Sequence, residues 1–262
     1  MKDIGVIGQG FVGTAIREKF KNFYKVWTFD IKGPSRLYEK TEILSSTIKR
    51  DDVLDKCEAV FVCLPTPMEE SGKCHIGIVE TVISEIDHYV KNNSKAKTKI
   101  VIIKSTVPPG TTKQFNEKYK TLQIVFNPEF LTEANAIKDF ENTKRVILGG
   151  PRPATTKLKT VYSKVFPEAK IVKTDSTYAE MIKYVTNTFL ATKVSYANEI
   201  FQLCNSLDID YDKVIEYATF DDRLGKSHWS VPGPDGDFGF SGSCFPKDLN
   251  ALNYIADELG IE

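Results

Sequence analysis

Histidine is scarce in this chain of 262 residues: His75, His88 and His228 are all there are. The first two fall in or near a helical segment and the third in a loop, so a cysteine–histidine hydrolase is a poor reading. Long apolar runs are missing too. None reaches the roughly 18 residues of a membrane span, and "MKDIGVIGQG" enters a strand at once rather than a signal peptide. Neither sign of charge is in surplus, with 35 basic against 35 acidic side chains. Nucleic acid and anionic membranes both call for a basic patch, and the lysine-rich "KNNSKAKTK" (Lys91–Lys99) reads as a solvated loop. The expectation is a cytoplasmic protein whose partners include neither nucleic acid nor membrane. The five cysteines, Cys57, Cys63, Cys74, Cys204 and Cys244, are odd in number and lack metal-type spacing. They give no basis for a disulfide framework or a metal site, so any important one acts as a thiol.

What is present is an alternation of short β-branched runs with amphipathic segments. "DIGVIG", "KVWTFD", "EAVFVCLP", "KIVIIKST", "LQIVFNP", "RVILGG" and "AKIVKTD" read as strands. Alternation of this kind implies an α/β fold with a doubly wound parallel sheet. Beyond Asp175 the pattern changes. From about Thr177 to Asn205 there is neither Gly nor Pro, and a helix of that length runs roughly 40 Å. Thr177 with Glu180 forms a plausible capping box. Tyr178, Met181, Val185, Phe189, Thr192, Tyr196, Ile200 and Leu203 make a mostly apolar stripe, which either packs on its own domain or meets another subunit. A helix near "DKVIEYA", a Gly/Pro-rich loop over Gly225–Ser243 and a last helix from Phe245 complete a small helical domain. The expected boundaries are 1–175 and 176–262.

The first motif is "GQGFVG", with Gly8, Gly10 and Gly13 directly after an apolar strand. Glycines at this spacing allow a tight turn, close approach of backbone to a pyrophosphate and tight helix–strand packing, and the helix N-terminus favours the phosphates. The second strand ends in Asp30, 22 residues after Gly8, where a carboxylate accepts the ribose hydroxyls and repels a 2′-phosphate. The sheet is therefore Rossmann-type, and NAD is the expected cofactor rather than NADP. "LPTP" (Leu64–Pro67), "STVPPGTT" (Ser105–Thr112) and "NPEFLTEANAIKDF" (Asn127–Phe140) lie where further strands end, so these loops should converge on the nicotinamide side. Each alone could be a simple turn. Glu129 and Glu133, and likewise Lys183 and Asn187, are four apart and can share a helical face.

Taken in order with "EMIKYVTNTFLATKVSYANE", "RLG" and "GFSGSCFPKD", these segments give a chain that resembles the nucleotide-sugar 6-dehydrogenases from Gly8 onward. "SCFPKD" resembles the UDP-glucose and GDP-mannose branches, the former preferred, since relatives acting on acetylated mannosamine have His before the Cys and lack the Lys-Asp pair. The resemblance implies NAD-dependent four-electron oxidation, UDP-glucose to UDP-glucuronate. Because a hydride carries two electrons, two NAD molecules act in turn and an aldehyde must be held between the steps. Cys244 would trap it as a thiohemiacetal that becomes a thioester, which water cleaves. Placed at a helix start, with Pro246 in the first turn and Lys247 close by, Cys244 is in a setting that favours the reactive thiolate form.

By motif, Lys183 and Asn187 match the residues that steady the alkoxide and oxyanion, and Thr106 and Asp248 those that position a proton-accepting water. Glu129 matches the carboxylate that activates water against the thioester, and Glu133 one near the nicotinamide carboxamide. Cofactor contacts are implied for Gly8, Gly10, Phe11, Val12, Gly13, Asp30, Thr66, Thr106 and Glu133. Substrate contacts are implied for Glu129, Lys183, Asn187, Gly242 and Arg223, the last reaching a neighbouring subunit's substrate in a homodimer built on the long helix. No metal is implied. Ser241 departs from the family's usual glycine and would be strained at positive φ. The family continues into a second nucleotide-binding-type domain that holds much of the uridine diphosphate. This chain ends at Glu262, so weak base discrimination is expected, with Trp229 either stacking on a base or anchored against the last helix. Two other readings stay open: an inactive NAD-binding dimeric regulatory or assembly subunit, and a two-electron hydroxy-acid dehydrogenase needing no thiol.

Overall fold

The computed structural model describes residues 1–33, 35–132 and 135–261, in two compact units. The first comprises Met1–Pro67 and His75–Lys183. Its sheet has nine strands, β1 (Asp3–Ile7), β2 (Lys25–Phe29), β3 (Leu37–Glu39), β4 (Glu42–Ser45), β5 (Ala59–Val62), β6 (Ile100–Ile103), β7 (Gln123–Phe126), β8 (Arg145–Gly149) and β9 (Lys170–Thr174), ordered 4-3-2-1-5-6-7-8-9. β1 pairs in parallel with both β2 and β5, which makes the end of β1 the point where the strand order reverses.

All seven strands read from the sequence are present. Strands covered on both faces need continuous apolar character, and β5 and β6 are buried at every position. On one side α1 (Phe11–Phe20), α5 (Ala136–Glu141) and α6 (Arg152–Val165) pack Phe20, Phe140 and Tyr162 against Phe61 and Ile102. On the other, α2 (Arg50–Lys56), α3 (Gly77–Asn92) and α4 (Thr111–Lys118) pack Val53, Ile83 and Phe115 against Val60, Val101 and Ile124.

The expected parallel sheet is mixed in two places. β3 and β4, absent from the sequence reading, continue the β2 edge as an antiparallel meander. They are short, and their turn passes through Lys40 at φ +52° with no glycine to announce it. β8 meets β7 antiparallel through Phe126 and Gly149 and runs parallel to β9.

The long helix α7 runs Ser176–Ser206. Its start differs from the expected capping box. The Asp175 carboxylate accepts the Thr177 N–H at 2.8 Å, while Glu180 turns to α4, accepting from Gly110 N at 2.6 Å and Thr112 N at 2.8 Å.

The second unit comprises Met68–Cys74 and Tyr184–Glu262. α8 (Tyr211–Ala218) is capped by Asp210, and α9 spans Phe245–Glu258. The glycine-rich loop before α9 is tied to α7: Gly239 N donates to Asn198 Oδ1 at 3.0 Å, and the Trp229 ring carries Lys193 Nζ at 4.6 Å from its centroid and meets Tyr196 edge-on. Trp229 is thus a loop anchor, but against α7 rather than the last helix. Ser241 is not among the residues with positive φ, so the expected strain is absent, and its hydroxyl bonds Asp235.

Candidate active site

The turn after β1 uses its glycines for different reasons. At Gly8 φ is +90° and a Cβ would lie 2.2 Å from the Cys63 carbonyl oxygen; at Gly13 it would lie 1.9 Å from Gly8 O. A Cβ on Gly10 would meet nothing within 4 Å, so this face of the turn is open to a ligand. Gly10 also precedes α1 without a side-chain cap, so among the described residues no side chain caps the N–H groups of the first turn at Phe11 and Val12. Gln9 stiffens the loop, its side chain donating to Gly8 O at 3.0 Å and accepting from Arg17 at 3.2 Å. Asp30 closes it: Oδ2 accepts Gln9 N at 2.6 Å, and Oδ1 accepts Lys32 N at 2.7 Å and Gly33 N at 3.1 Å. Partial burial pushes this carboxyl up, but the three backbone donors and the Lys32 charge outweigh it and hold it below the usual range. An uncapped, positively polarised helix end with a fixed anion at the end of the adjacent strand fits a dinucleotide.

The ends of β5, β6 and β7 bring the next group together. Thr66 Oγ1 donates to the Thr106 carbonyl at 2.9 Å, and Ser105 Oγ donates to Leu64 O at 2.6 Å. Beyond β7, Glu129 is buried and fully engaged. Lys183 Nζ donates to its Oε1 at 2.9 Å and its carbonyl at 2.7 Å, and Leu131 N donates to Oε2 at 2.7 Å. Burial alone would raise the Glu129 carboxyl, but Lys183, the Leu131 N–H and the Lys104 charge bring it below the ordinary value. Glu133 lies outside the described residues. The sequence reading missed three neighbours, Lys104, Asn127 and Tyr162, which share one buried hydrogen-bond cluster. The available signal was a lysine directly after the apolar strand "IVII".

In the second unit Cys244 is half-buried and immediately precedes α9, with Pro246 in the first turn. Its Sγ lies 3.8 Å from Ser243 Oγ. Asp248 is 1% exposed and accepts from Asn187 Nδ2 at 2.6 Å. Lys247, expected to support the thiol, pairs instead with Asp248; a carboxylate one residue away is the stronger attractor for an ammonium. Gly242 has φ +80° with open space where a Cβ would stand. Arg223 is exposed and bonded to Asp221.

The glycine turn, the open helix end and Asp30 define a dinucleotide-binding α/β protein of the dehydrogenase kind. Residues 32–166 match the NAD binding domain of the UDP-glucose/GDP-mannose dehydrogenase family, and residues 177–262 match that family's central domain. The chain belongs to this family and carries its NAD-binding domain. It is 35% identical over 220 residues to a UDP-glucose 6-dehydrogenase of Rickettsia bellii, covering 82% of this chain and 48% of that protein. A UDP-glucose dehydrogenase structure from Pyrobaculum islandicum superimposes with a TM-score of 0.83 at 27% identity, over 100% of this chain and 65% of that one. A ternary complex of GDP-mannose dehydrogenase from Pseudomonas aeruginosa gives 0.71 at 26% identity, over 99% and 65%. The chain thus spans about half the length of the Rickettsia protein it matches.

Proposed function

We propose that this chain supplies the NAD-binding and cysteine portions of a nucleotide-sugar 6-dehydrogenase that converts UDP-glucose to UDP-glucuronate. The observation that carries the reading is the buried Lys183–Glu129 pair, 2.9 Å apart. A buried ion pair is at best weakly stabilising, and a two-electron alcohol oxidation has no use for a carboxylate held ionised to activate water. A four-electron oxidation ending in hydrolysis does.

NAD bound at the Gly8–Gly13 turn supplies the hydride acceptor for each of two successive oxidations. Asp30 receives the ribose hydroxyls. Thr106 and Asp248 position the water that takes the alcohol proton, and Asp248 is oriented for this by Asn187. Lys183 stabilises the developing alkoxide and later the oxyanion. Cys244 Sγ adds to the aldehyde carbon, giving a thiohemiacetal, and loss of the second hydride leaves a thioester. Glu129 takes a proton from water as the water oxygen attacks the thioester carbon; the C–S bond breaks, and the thiol and the carboxylate are released. The exposed apolar stripe of α7 supports a homodimer, in which Arg223 serves the neighbouring subunit's substrate.

The test is Cys244→Ala: acid formation should vanish while NAD affinity stays within about threefold, and quenched mass spectra of the unmutated protein should show a uronyl adduct on Cys244. Equal turnover by the variant would end the covalent route.

A further inference from the structure

Lys104 is the first residue beyond β6 and is 3% exposed, and no step proposed above uses it. Its Nζ donates to Asn127 Oδ1 at 2.9 Å and to the Pro128 carbonyl at 3.4 Å. Both acceptors are neutral. At the next residue of the same turn, Lys183 holds the Glu129 carbonyl and carboxylate. Two buried ammonium groups therefore grip consecutive carbonyls, and the groups that face Lys104 decide what balances its charge. Tyr162, whose hydroxyl bonds the same Asn127 Oδ1, is pushed above its ordinary range by burial. The Cys63 thiol is pushed up to about 12, by burial first. Both are neutral at physiological pH, and the Phe140 ring, 6.0 Å from Nζ, carries no charge. Among these groups Glu129 alone is an anion, and Lys183 already shares it. Burial, with Lys183 adding to it, accordingly brings the Lys104 ammonium down to about 8, against the opposing pull of Cys63 and Glu129. An apolar side chain would fill this place at lower cost, so the retained charge has a use.

We propose that Lys104 is a positioning residue for Glu129: it locks the turn over Asn127–Glu129 and supplies the second positive charge that keeps the Glu129 carboxylate ionised. The proposal rests on the reading of Glu129 as the group that activates water. Asn127 transmits the hold, because its Nδ2 is fixed to Ile147 O at 2.7 Å and its backbone N to Ile103 O at 2.9 Å.

The experiment is a pH titration of the whole chain carrying 13C-labelled glutamate, with Glu129→Gln used to assign the carboxyl resonance. In Lys104→Met the Glu129 midpoint should rise by about one pH unit or more, as expected on losing a nearby opposite charge. In Tyr162→Phe, which removes a neutral bond to the same Asn127 oxygen, it should stay in place. An unmoved midpoint in Lys104→Met, or an equal rise in Tyr162→Phe, would overturn the proposal. Should Lys104→Met fail to fold, the unmutated chain decides: the Lys104 side-chain resonance should titrate near 8 and the Glu129 resonance should inflect at the same pH, and absence of the shared inflection overturns the proposal equally. No substrate enters these measurements, so they are independent of turnover. With UDP-glucose, Lys104→Met should move the acidic limb of the kcat profile to higher pH by the same amount as the Glu129 midpoint, recover as the pH is raised and leave KM within about threefold. A purely structural loss would depress every pH alike, and would count against the charge role.

Discussion

Asp30 and Glu129 are both carboxylates held below their ordinary range, for different reasons. Backbone N–H groups hold Asp30, which leaves its anionic charge at the rim of the cofactor turn. A buried ammonium holds Glu129, which confines its charge to the interior. From the first arrangement NAD should bind in preference to NADP, and Asp30→Ala should weaken NAD about 10- to 100-fold, the worth of hydrogen bonds to a charged group, and narrow the preference. Fluorescence titration with both cofactors checks this, and comparable affinities in the unmutated protein would contradict it. At this scale the sequence was uneven. Gly8, Gly13 and Asp30 could be read because their motif states a backbone geometry. The strain expected at Ser241 is absent, since φ is set by the surrounding loop and not by the identity of one residue. Lys104 escaped notice because a lysine at a strand end is ordinarily at the surface, and burial belongs to the tertiary structure.

The long helix buries polar side chains beside apolar ones such as Tyr184, Ala191 and Ala197. Its buried positions include Glu180, Lys183, Asn187 and Asn198, while Tyr178, Val185, Phe189, Tyr196 and Leu203 are exposed. Periodicity located the stripe but left open which way it faced. An exposed apolar stripe of this length is the surface that the proposed homodimer would cover. Phe189, 66% exposed, gives the test: Phe189→Glu should shift the species seen by sedimentation from dimer to monomer at micromolar concentration without loss of helix content, and a monomer of 29.5 kDa for the unmutated chain would refute the dimer. Glu180 makes a second prediction for the element. Burial first, with Asp175 adding, pushes its carboxyl up to about 7 against the donors on Thr112 and Gly110. The folded form then holds its proton to higher pH than the unfolded chain, where a glutamate ionises near about 4.3. The stabilising contribution is complete below that value and is lost as pH rises through about 7. The melting temperature of the unmutated chain should therefore fall by several degrees between pH 5 and 8, and Glu180→Gln should flatten that slope. Parallel slopes in the two proteins would contradict this. The expected capping box failed here because α4 lacks a side-chain cap of its own and competes for the same carboxylate.

For the molecule as a whole, the alternation of strands and helices was enough to state the fold, since each of the seven apolar runs became a strand. The β3–β4 meander was not legible because its alternation is three or four residues long. The residues proposed for the reaction, Thr106, Glu129, Lys183, Asn187, Cys244 and Asp248, are dispersed along the chain, and only the order of their motifs, not any single spacing among them, suggests chemistry. Their assignment to one reaction makes a single quantitative demand. A four-electron oxidation releases two NADH for each nucleotide sugar consumed, whereas a hydroxy-acid type of oxidation releases one and an inactive binding subunit none. The direct measurement is the absorbance of NADH at completion, with limiting UDP-glucose and excess NAD. Two NADH per UDP-glucose are expected, with UDP-glucuronate as the product; one NADH with free aldehyde, or no NADH at all, would contradict the four-electron reading.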